Sequence, residues 1–534
     1  MAKANKRAQT PRHRPNAPRE RPSAEHPAAP TGTRVAAGGG VPASAARVTT
    51  GVPGLDRVLG GGLPAGGLYI LQGTPGAGKT TLANQLAFAH AKAPGAGTVV
   101  YLTLLAESHE RLLANLRTMT FFDEHALGSR IAYVSAFSVL ESKGLDGLLE
   151  LLRRELRRRG ARILVLDGLG AIEDSAKSPR EVKRFVQAVQ VQAGLLGFTG
   201  VLVTSVPTKL GTRSEHTMVD GIIELSDKTF GNVAVRQLEV KKLRGSAYHR
   251  GLHTFSITDD GVQVFPRIES LLQFPSKFDA SIGRRTKTGI GQLDTMLHGG
   301  LPSGSTTMLV GPSGAGKTVF GLHYLSRSTA KEPGLLFSFY ETPARLLDKA
   351  NKIGVDLRAL VEKGHVEIEW EPPIERLLDD LGDRLLTAVR RRRVKRLFID
   401  GLGGFAASAV HPERLPAFFT ALANELRARD VTTVYTVESR NIVGREIEAP
   451  LTGISTIVEN LFVLRFIEVG AQLHRLLSIV KVRDSKYECD VRELRIGPSG
   501  IDIARTFASA DEILTVPALP TTVAAMTTQS RQRR

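Results

Sequence analysis

The sequence predicts an α/β protein with two homologous lobes, each built on a mostly parallel central sheet flanked by helices. Short apolar runs alternate with helical patterns, and in the first half of the chain these runs are "LYILQG", "TVVYLTL", "ILVLDG" and "GVLVTSV". They lack the strict alternation of a half-exposed strand, so we expect both faces of each strand to be buried. Such burial is typical of parallel sheets that helices cover on both sides. Ligands of these sheets bind at the carboxyl ends of the strands.

An internal repeat defines the two lobes. The segment "TTGVPGLDRVLGGGLPAGGLYILQGTPGAGKTTLANQLA" at residues 49–87 returns as "KTGIGQLDTMLHGGLPSGSTTMLVGPSGAGKTVFGLHYL" at residues 287–325. Further along, "ILVLDGLGAI" returns as "LFIDGLGGFA", and "EVKKLRGSAYHRG" returns more loosely as "IVKVRDSKYECD". The predicted organisation is a disordered basic tail at 1–46, lobe 1 at 47–267, lobe 2 at 268–505 with a linker at 268–282, and a flexible tail at 506–534.

Composition limits the class of protein. Apolar residues make up 42% of the 534 residues and charged residues 23%, which suits a soluble α/β protein. The sequence has no apolar run long enough to span a membrane, and its first residues lack the apolar core of a signal peptide. The single cysteine, Cys489, allows neither an internal disulfide nor a cysteine-based zinc site. We therefore expect a cytoplasmic protein with no membrane partner.

The formal charge of +18 raises the question of a nucleic-acid partner. Beyond the basic tail, the charge concentrates in "RRELRRRGAR" at 153–162 and "RRRRVKR" at 390–396, each closing a predicted helix. Such cations complement the dipole at the carboxyl end of a helix, and the alternative is a patch that binds a polyanion. Aromatic residues are only 6% and do not interleave with the basic ones, so nucleic acid is not the favoured partner.

Two glycine-rich loops carry the strongest chemical signal. "GTPGAGKTT" follows the strand "LYILQG" and opens a helix, and "GPSGAGKTV" recurs in the same context. The glycines let successive backbone N–H groups point at phosphate oxygens, and the helix amino terminus adds positive potential. Lys79 and Lys317 are expected to reach the β- and γ-phosphates of a nucleotide. The predicted nucleotide-binding residues are Gly73, Thr74, Pro75, Gly76, Ala77, Gly78, Lys79, Thr80, Thr81, Gly311, Pro312, Ser313, Gly314, Ala315, Gly316, Lys317, Thr318 and Val319.

Two aspartates complete a predicted magnesium site in each lobe. Asp167 and Asp400 each end an apolar strand that follows a basic stretch. An acid at this place orders the hydration shell of Mg²⁺, and the loop threonines Thr80 and Thr318 supply a further oxygen ligand. The alternative interpretation is a buried aspartate that caps the following helix.

These motifs resemble the KaiC family of RecA-fold ATPases. The resemblance rests on "GLDRVLGGGLP" ahead of the first loop, on the tandem lobes and on "KLRG" late in lobe 1, and it covers residues 47–505. It implies two RecA-like domains, ATP and Mg²⁺ as cofactors, ATP hydrolysis, and a homohexamer with nucleotide at the subunit interfaces. It also implies a protein partner, such as a KaiB-like protein. The alternatives are a RecA- or RadA-like DNA-dependent ATPase and an ATP-bound scaffold that does not hydrolyse.

The family has paired glutamates after the second core strand, which activate the lytic water. Here lobe 1 reads "TLLAES" and lobe 2 reads "SFYETP". The resemblance assigns catalysis to Glu107 and Glu341, while Ala106 and Tyr340 replace the first glutamate of each pair. Loss of a general base typically costs about 10²–10⁴-fold in rate. The alternative is that Glu107 and Glu341 cap the helices that follow.

The family also reaches into the neighbouring subunit's nucleotide with Lys-x-Arg after a late strand. The matching residues are Lys242 and Arg244 in lobe 1, and Lys481 and Arg483 in lobe 2. A cation supplied in trans stabilises charge on the transferring phosphoryl group. The alternative is a set of exposed charges at strand ends.

The clock member of the family phosphorylates neighbouring Ser and Thr residues in its second lobe. "GISTIVENLFVLR" resembles that site, and it aligns Ser455 and Thr456 as candidate phosphosites for a serine/threonine autokinase. The base expected to deprotonate the acceptor is replaced by Tyr340. A "ST" pair before a strand is also common turn chemistry.

Overall fold

The computed structural model describes residues 46–104, 109–205, 217–276, 283–439, 458–469, 472–483 and 485–504. All of them belong to one compact unit, Ala46–Arg534. Ala106 and Glu107, and the candidate phosphosites Ser455 and Thr456, lie outside the described residues. The part of the chain that the structure describes has no helix long and apolar enough to cross a membrane.

Lobe 1 alternates strands and helices in the order that the sequence predicts. Its strands are β1 (Arg47–Val48), β2 (Leu63–Pro64), β3 (Leu68–Gly73), β4 (Thr98–Thr103), β5 (Ile131–Ser135), β6 (Ala161–Asp167), β7 (Thr199–Ser205), β8 (Gly221–Phe230), β9 (Val233–Leu243), β10 (His253–Thr258) and β11 (Gly261–Phe265). Its helices are α1 (Leu55–Val58), α2 (Lys79–Lys92), α3 (His109–Leu116), α4 (Phe137–Arg159), α5 (Leu169–Ser175) and α6 (Pro179–Leu196). The short helix α7 (Ile268–Leu271) follows in the segment that joins the lobes.

Lobe 2 repeats this order. Its strands are β12 (Arg285–Thr286), β13 (Leu301–Pro302), β14 (Thr306–Gly311), β15 (Gly334–Ser338), β16 (Val366–Trp370), β17 (Arg396–Asp400), β18 (Thr432–Glu438), β19 (Asn460–Val469), β20 (Gln472–Val482), β21 (Arg492–Gly497) and β22 (Gly500–Ile503). Its helices are α8 (Gly291–Met296), α9 (Lys317–Leu325), α10 (Pro343–Lys352), α11 (Leu357–Glu362), α12 (Leu378–Arg392), α13 (Gly403–Ala407) and α14 (Leu415–Ala428).

Each lobe is built on a nine-stranded sheet with the same strand order. The order is β11-β10-β9-β8-β3-β7-β6-β4-β5 in lobe 1 and β22-β21-β20-β19-β14-β18-β17-β15-β16 in lobe 2. In lobe 1 the strands from β8 to β5 pair in parallel, and β9, β10 and β11 extend the sheet in antiparallel. The predicted fold class, two tandem RecA-like domains with mostly parallel sheets, is confirmed.

The central strand β3 shows why the apolar runs are continuous. Leu68 and Ile70 face a core that α4 and α6 cover, while Tyr69 and Leu71 face a second core that α2 covers. All six residues of β3 are buried. Because helices cover both faces of the sheet, no position of this strand can be polar without a buried partner.

The basic runs lie at helix ends. Helix α4 ends at Arg159 and α12 ends at Arg392, each just before a strand of the central sheet. Arg158 and Arg159 pair with Glu155, 2.7 and 3.3 Å away, so part of this positive charge is neutralised within the helix itself.

The short helix α7 holds the lobes together. The backbone N–H of Arg267 donates to Nδ1 of the buried His253 in lobe 1, at 3.0 Å. Glu269 accepts two bonds from the Arg414 guanidinium of lobe 2, at 2.8 and 3.0 Å. Arg414 also pairs bidentately with Asp379, whose side chain is fully buried. The joining segment therefore packs against both lobes.

Candidate functional site

The two phosphate loops have the same backbone geometry, and each lies between a central strand and a helix. Gly78 has a φ of 91° and Gly316 a φ of 101°, in the left-handed region that favours glycine. A Cβ on Gly78 would lie 2.4 Å from Ile257, and one on Gly316 would lie 2.6 Å from Ile496. The left-handed conformation therefore favours glycine where each loop enters its helix, and a larger residue would also have to displace the end of an isoleucine side chain.

The loop lysines fold back over the loops. Nζ of Lys79 donates to the carbonyls of Gly73 and Thr74, at 3.0 and 2.8 Å. Lys317 makes the same two contacts in lobe 2, each at 2.7 Å. Burial lowers the pKa of both lysines, while Asp167 in lobe 1, and Glu438 and Asp400 in lobe 2, oppose that shift. A phosphate is a stronger acceptor than these carbonyls, so each ammonium group is ready to bind one.

The predicted magnesium ligands meet in both lobes. Thr80 Oγ1 donates to Asp167 Oδ2 at 3.0 Å, and Thr318 Oγ1 donates to Asp400 Oδ2 at 2.9 Å. Burial raises the pKa of Asp400, although hydrogen bonds from Thr436 and Thr318 act in the opposite direction. Hydroxyl and carboxylate oxygens are the ligands that Mg²⁺ prefers, so these donor sets fit that ion.

Lobe 2 has an open cavity of about 670 Å³ beside its phosphate loop. Lys317, Thr318, Asp400, Tyr340 and Glu438 are among the residues that line it. The Tyr340 side chain is 62% exposed and lies against Gly401. Burial, together with Glu438, raises the pKa of the Tyr340 phenol, so this group stays neutral at pH 7 and is a poor base.

Glu341 lies at the same cavity, and its carboxylate forms an ion pair with Lys349 of α10. The capping alternative is not what this residue does: Thr342 is the N-cap of α10, and no side chain bonds the first turn there. The carboxylate also acts electrostatically on Asp400, where it raises the pKa. Glu341 is thus close to the candidate metal site but engaged by a lysine.

The four cations predicted to act in trans lie away from their own phosphate loops. Lys242 on β9 is in register with Ile222 on β8, which is in register with Ile70 on β3. Lys242 is therefore level with the amino-terminal half of β3, whereas the phosphate loop begins at the carboxyl end of that strand. Nζ of Lys242 and Nη2 of Arg244 donate to the carbonyl of Thr217, at 3.4 and 3.0 Å. In lobe 2, Lys481 donates to the carbonyl of Val458 at 2.8 Å, and the Arg483 side chain is exposed.

Strand-end residues beside the acids occupy the level of the loops. Ser205 is in register with Gly73, and Glu438 is in register with Gly311. Thr436 bonds the Asp400 carboxylate directly, at 2.9 Å. The end of β18 therefore contributes to the lobe 2 site.

Sequence reasoning missed three contributors. Arg475 on β20 stacks over Phe466 and donates from Nε to the carbonyl of Gly314 in the loop, at 3.3 Å. Tyr101 on β4 bonds the Asp167 carboxylate, and Lys349 engages Glu341. None of the three had a distinguishing local signal: tyrosines also occur in β3 and β5, and the contacts of Arg475 and Lys349 depend on how elements distant in sequence fold together.

Comparison with known proteins gives one consistent family. A family model described as "ATPase: KaiC" matches the chain twice, at residues 48–269 and 286–507. The circadian clock oscillator protein KaiC of Rippkaea orientalis is 24% identical over 381 residues, which cover 70% of this chain and 72% of the relative. KaiC 1 of Synechocystis sp. and KaiC of Synechococcus elongatus are each 24% identical over 375 residues, covering 69% of this chain and 71% of either relative.

Proposed function

The chain belongs to the KaiC family of ATPases, and from that premise we propose that each lobe binds Mg·ATP and that ATP binding assembles the chain into a homohexamer. One observation carries the proposal: in both lobes a loop lysine folds over the phosphate loop beside a hydrogen-bonded Thr–Asp pair. Each lobe thus combines a phosphate-binding cation with oxygen ligands for a metal ion.

The residues of each loop have distinct roles in this proposal. Backbone N–H groups of the non-proline residues in 73–81 and 311–319 hold the phosphates, and Lys79 and Lys317 leave the loop carbonyls to bind phosphate oxygens. Thr80 with Asp167, and Thr318 with Asp400, would hold Mg²⁺. The bound ion neutralises charge on the β- and γ-phosphates.

We propose that hydrolysis is unequal between the lobes. Glu107 and Glu341 are the remaining candidates to orient the attacking water. In lobe 2 the neutral phenol of Tyr340 takes the place of one carboxylate, and Lys349 engages the other. These contacts favour an ATP-bound state in lobe 2 that turns over slowly.

Assembly follows from the placement of the trans cations. Lys242, Arg244, Lys481 and Arg483 lie toward the strand ends opposite their own loops, which supports a role at a neighbour's nucleotide. A head-to-tail contact of this type closes into a ring. Self-association would then depend on bound ATP, and hydrolysis would depend on assembly.

We further propose that the nucleotide state of the ring is signalled to a protein partner, such as a KaiB-like protein. Autophosphorylation at Ser455 and Thr456 is the second output, and it follows from the resemblance alone. A non-hydrolysing scaffold is the second candidate function, favoured by the Lys349–Glu341 ion pair and by Tyr340. Among the described residues, none of the contacts above favours a DNA-dependent ATPase.

Size analysis in ATP, ADP and no nucleotide tests the proposal, combined with phosphate release and intact mass. We expect a hexamer in ATP, slow release of phosphate and, with autokinase activity, a mass increase abolished by Ser455→Ala/Thr456→Ala. Hexamers without any turnover would favour the scaffold. A monomer under every condition would contradict the assembly mechanism.

A further inference from the structure

A buried chain of polar side chains supports the magnesium acid of lobe 1. The Tyr101 hydroxyl donates to Asp167 Oδ2 at 3.0 Å and accepts from Asn84 Nδ2, also at 3.0 Å. Asn84 Oδ1 in turn accepts from the Tyr133 hydroxyl at 2.6 Å. Tyr101 and Asn84 are fully buried and Asp167 is 4% exposed, so water does not compete for these bonds.

In lobe 2, the residues that correspond to Tyr101, Asn84 and Tyr133 are all apolar. Thr103 is level with Asp167 and Ser338 is level with Asp400, which makes Leu336 the counterpart of Tyr101. By sequence distance from the loop lysine, Leu322 is the counterpart of Asn84, and by strand register Ile368 is that of Tyr133.

Lobe 2 supports its acid from the opposite neighbouring strand instead. Thr436 on β18 donates from Oγ1 to Asp400 Oδ1 at 2.9 Å and accepts from the backbone N–H of Gly401 at 2.7 Å. The lobe 1 counterpart of Thr436 is Val203, which is level with Asp167 on β7 and cannot form such a bond. Each acid therefore accepts a bond from a hydroxyl group other than that of the loop threonine, and these two hydroxyl groups come from different sides of the strand.

We propose that Tyr101 is a positioning residue of lobe 1, which holds the Asp167 carboxylate toward Thr80 for metal binding, and that Thr436 does the same for Asp400 in lobe 2. The inference rests on the proposed binding of Mg·ATP. A carboxylate on a strand end can rotate about two side-chain torsions, and a second fixed donor selects the rotamer that the ion needs. The two sites are therefore tuned by different residues.

The test uses the full chain with Lys317→Ala, which leaves lobe 1 as the nucleotide site. The Mg²⁺ dependence of binding of a fluorescent ATP analogue is measured with and without Tyr101→Phe. Loss of one buried hydrogen bond to a charged group should raise the half-saturating Mg²⁺ concentration about three- to tenfold. The maximal extent of binding should be retained.

Tyr324→Phe in the same background is the matched control. It removes the 2.7 Å hydrogen bond from a fully buried tyrosine to the carbonyl of Thr432, and both of these residues belong to lobe 2, whereas Asp167 is in lobe 1. It should lower the melting temperature as Tyr101→Phe does but leave the Mg²⁺ requirement unchanged.

A rescue separates positioning from stability. Adding Val203→Thr to Tyr101→Phe places a hydroxyl where lobe 2 has Thr436, and it should restore most of the Mg²⁺ affinity. The reciprocal arm, Thr436→Val with Lys79→Ala, should raise the Mg²⁺ requirement of lobe 2 about three- to tenfold and does not depend on the folding of the tyrosine variant.

The outcomes distinguish a failure of the proposed Mg·ATP binding from a failure of the positioning roles. If the Lys317→Ala parent binds no Mg·ATP, the proposed function of lobe 1 is wrong. If the parent binds normally and neither Tyr101→Phe nor Thr436→Val changes the Mg²⁺ requirement, the positioning roles are overturned while the proposed function stands.

Discussion

Lys349, in the second turn of α10, forms an ion pair with Glu341, which lies just before that helix, and both residues line the lobe 2 cavity. Their side chains are 37% and 28% exposed, so the pair is partly screened by solvent. The same carboxylate lies near Asp400. An acid that resemblance assigns to water activation is thus engaged by a neighbour within its own lobe.

Lys349→Met should free that carboxylate. With lobe 1 silenced by Lys79→Ala, we expect phosphate release to rise about two- to fivefold, because a partly exposed pair is worth up to about 1 kcal/mol. Lys352→Met is the control, since Lys352 pairs with the exposed Asp348 instead. An unchanged rate would mean that Glu341 is not the base.

Tyr340→Glu should restore the missing carboxylate of lobe 2. In the Lys79→Ala background we expect phosphate release to increase at least tenfold, a conservative part of the 10²–10⁴-fold that a general base typically contributes. Tyr340→Phe should stay at the parental rate, because the neutral phenol is a poor base. Equal rates in all three proteins would argue against hydrolysis at this place.

Lys79→Ala and Lys317→Ala should each remove one nucleotide per chain. We expect two bound nucleotides per chain in the parent and one in either variant, with affinity at the altered loop reduced at least a hundredfold because a buried charge–phosphate contact is lost. Equilibrium dialysis at saturating Mg·ATP measures this number. Two nucleotides in either variant would show that the loop lysine is dispensable.

Acid should loosen the junction of the lobes through His253. Burial, and more weakly Arg267, lowers the pKa of this histidine from 6.5 to about 4, so the folded state holds it neutral. The unfolded chain takes up a proton below pH 6.5, and stability therefore falls as pH drops from about 6.5 to 4, by at most about 3 kcal/mol. Between pH 7.5 and 4.5, the melting temperature of the parent protein should fall more steeply than that of the His253→Gln variant.

Arg414→Met should destabilise the chain strongly. It leaves the fully buried carboxylate of Asp379 without its cation and leaves Glu269 with Arg267 alone, and breaking a buried ion pair in this way typically costs about 3–5 kcal/mol. Arg57→Met is the control, because it breaks another ion pair between the lobes, Arg57–Asp383. The side chains of Arg57 and Asp383 are 45% and 28% exposed. Exposed pairs contribute about 0–1 kcal/mol, so a comparable fall in melting temperature would contradict this account.

The sequence predicted the parallel core because continuous apolar runs report burial on two faces. Strand β3 and helix α2 have bounds close to those of "LYILQG" and the helix after "GTPGAGKTT". The antiparallel extension by β9, β10 and β11 was not predicted. A local pattern identifies a strand but not its pairing partner, which depends on contacts distant in sequence.

The phosphate loops and their acids were predictable because their chemistry needs fixed residue types at fixed spacing. The supports of those acids were not. Tyr101 and Thr436 act on the equivalent acids of two related sites from opposite sides of the strand, Tyr101 on the oxygen that the loop threonine also bonds and Thr436 on the other oxygen. Only the register of neighbouring strands reveals that Val203 and Leu336 are their counterparts.

Helix α7 has a practical consequence for dividing the protein. A cut between residues 267 and 268 would leave Arg267 with lobe 1 and Glu269 with lobe 2, and it would separate this ion pair. A cut after the helix would instead leave Glu269 with lobe 1 and separate it from Arg414 of lobe 2. Its first residue also bonds Asp379 through the backbone N–H, at 3.4 Å. The repeat in the sequence suggests two interchangeable modules, yet neither half ends in a self-sufficient surface. Lobes expressed apart should therefore be less stable than the same lobes in one chain.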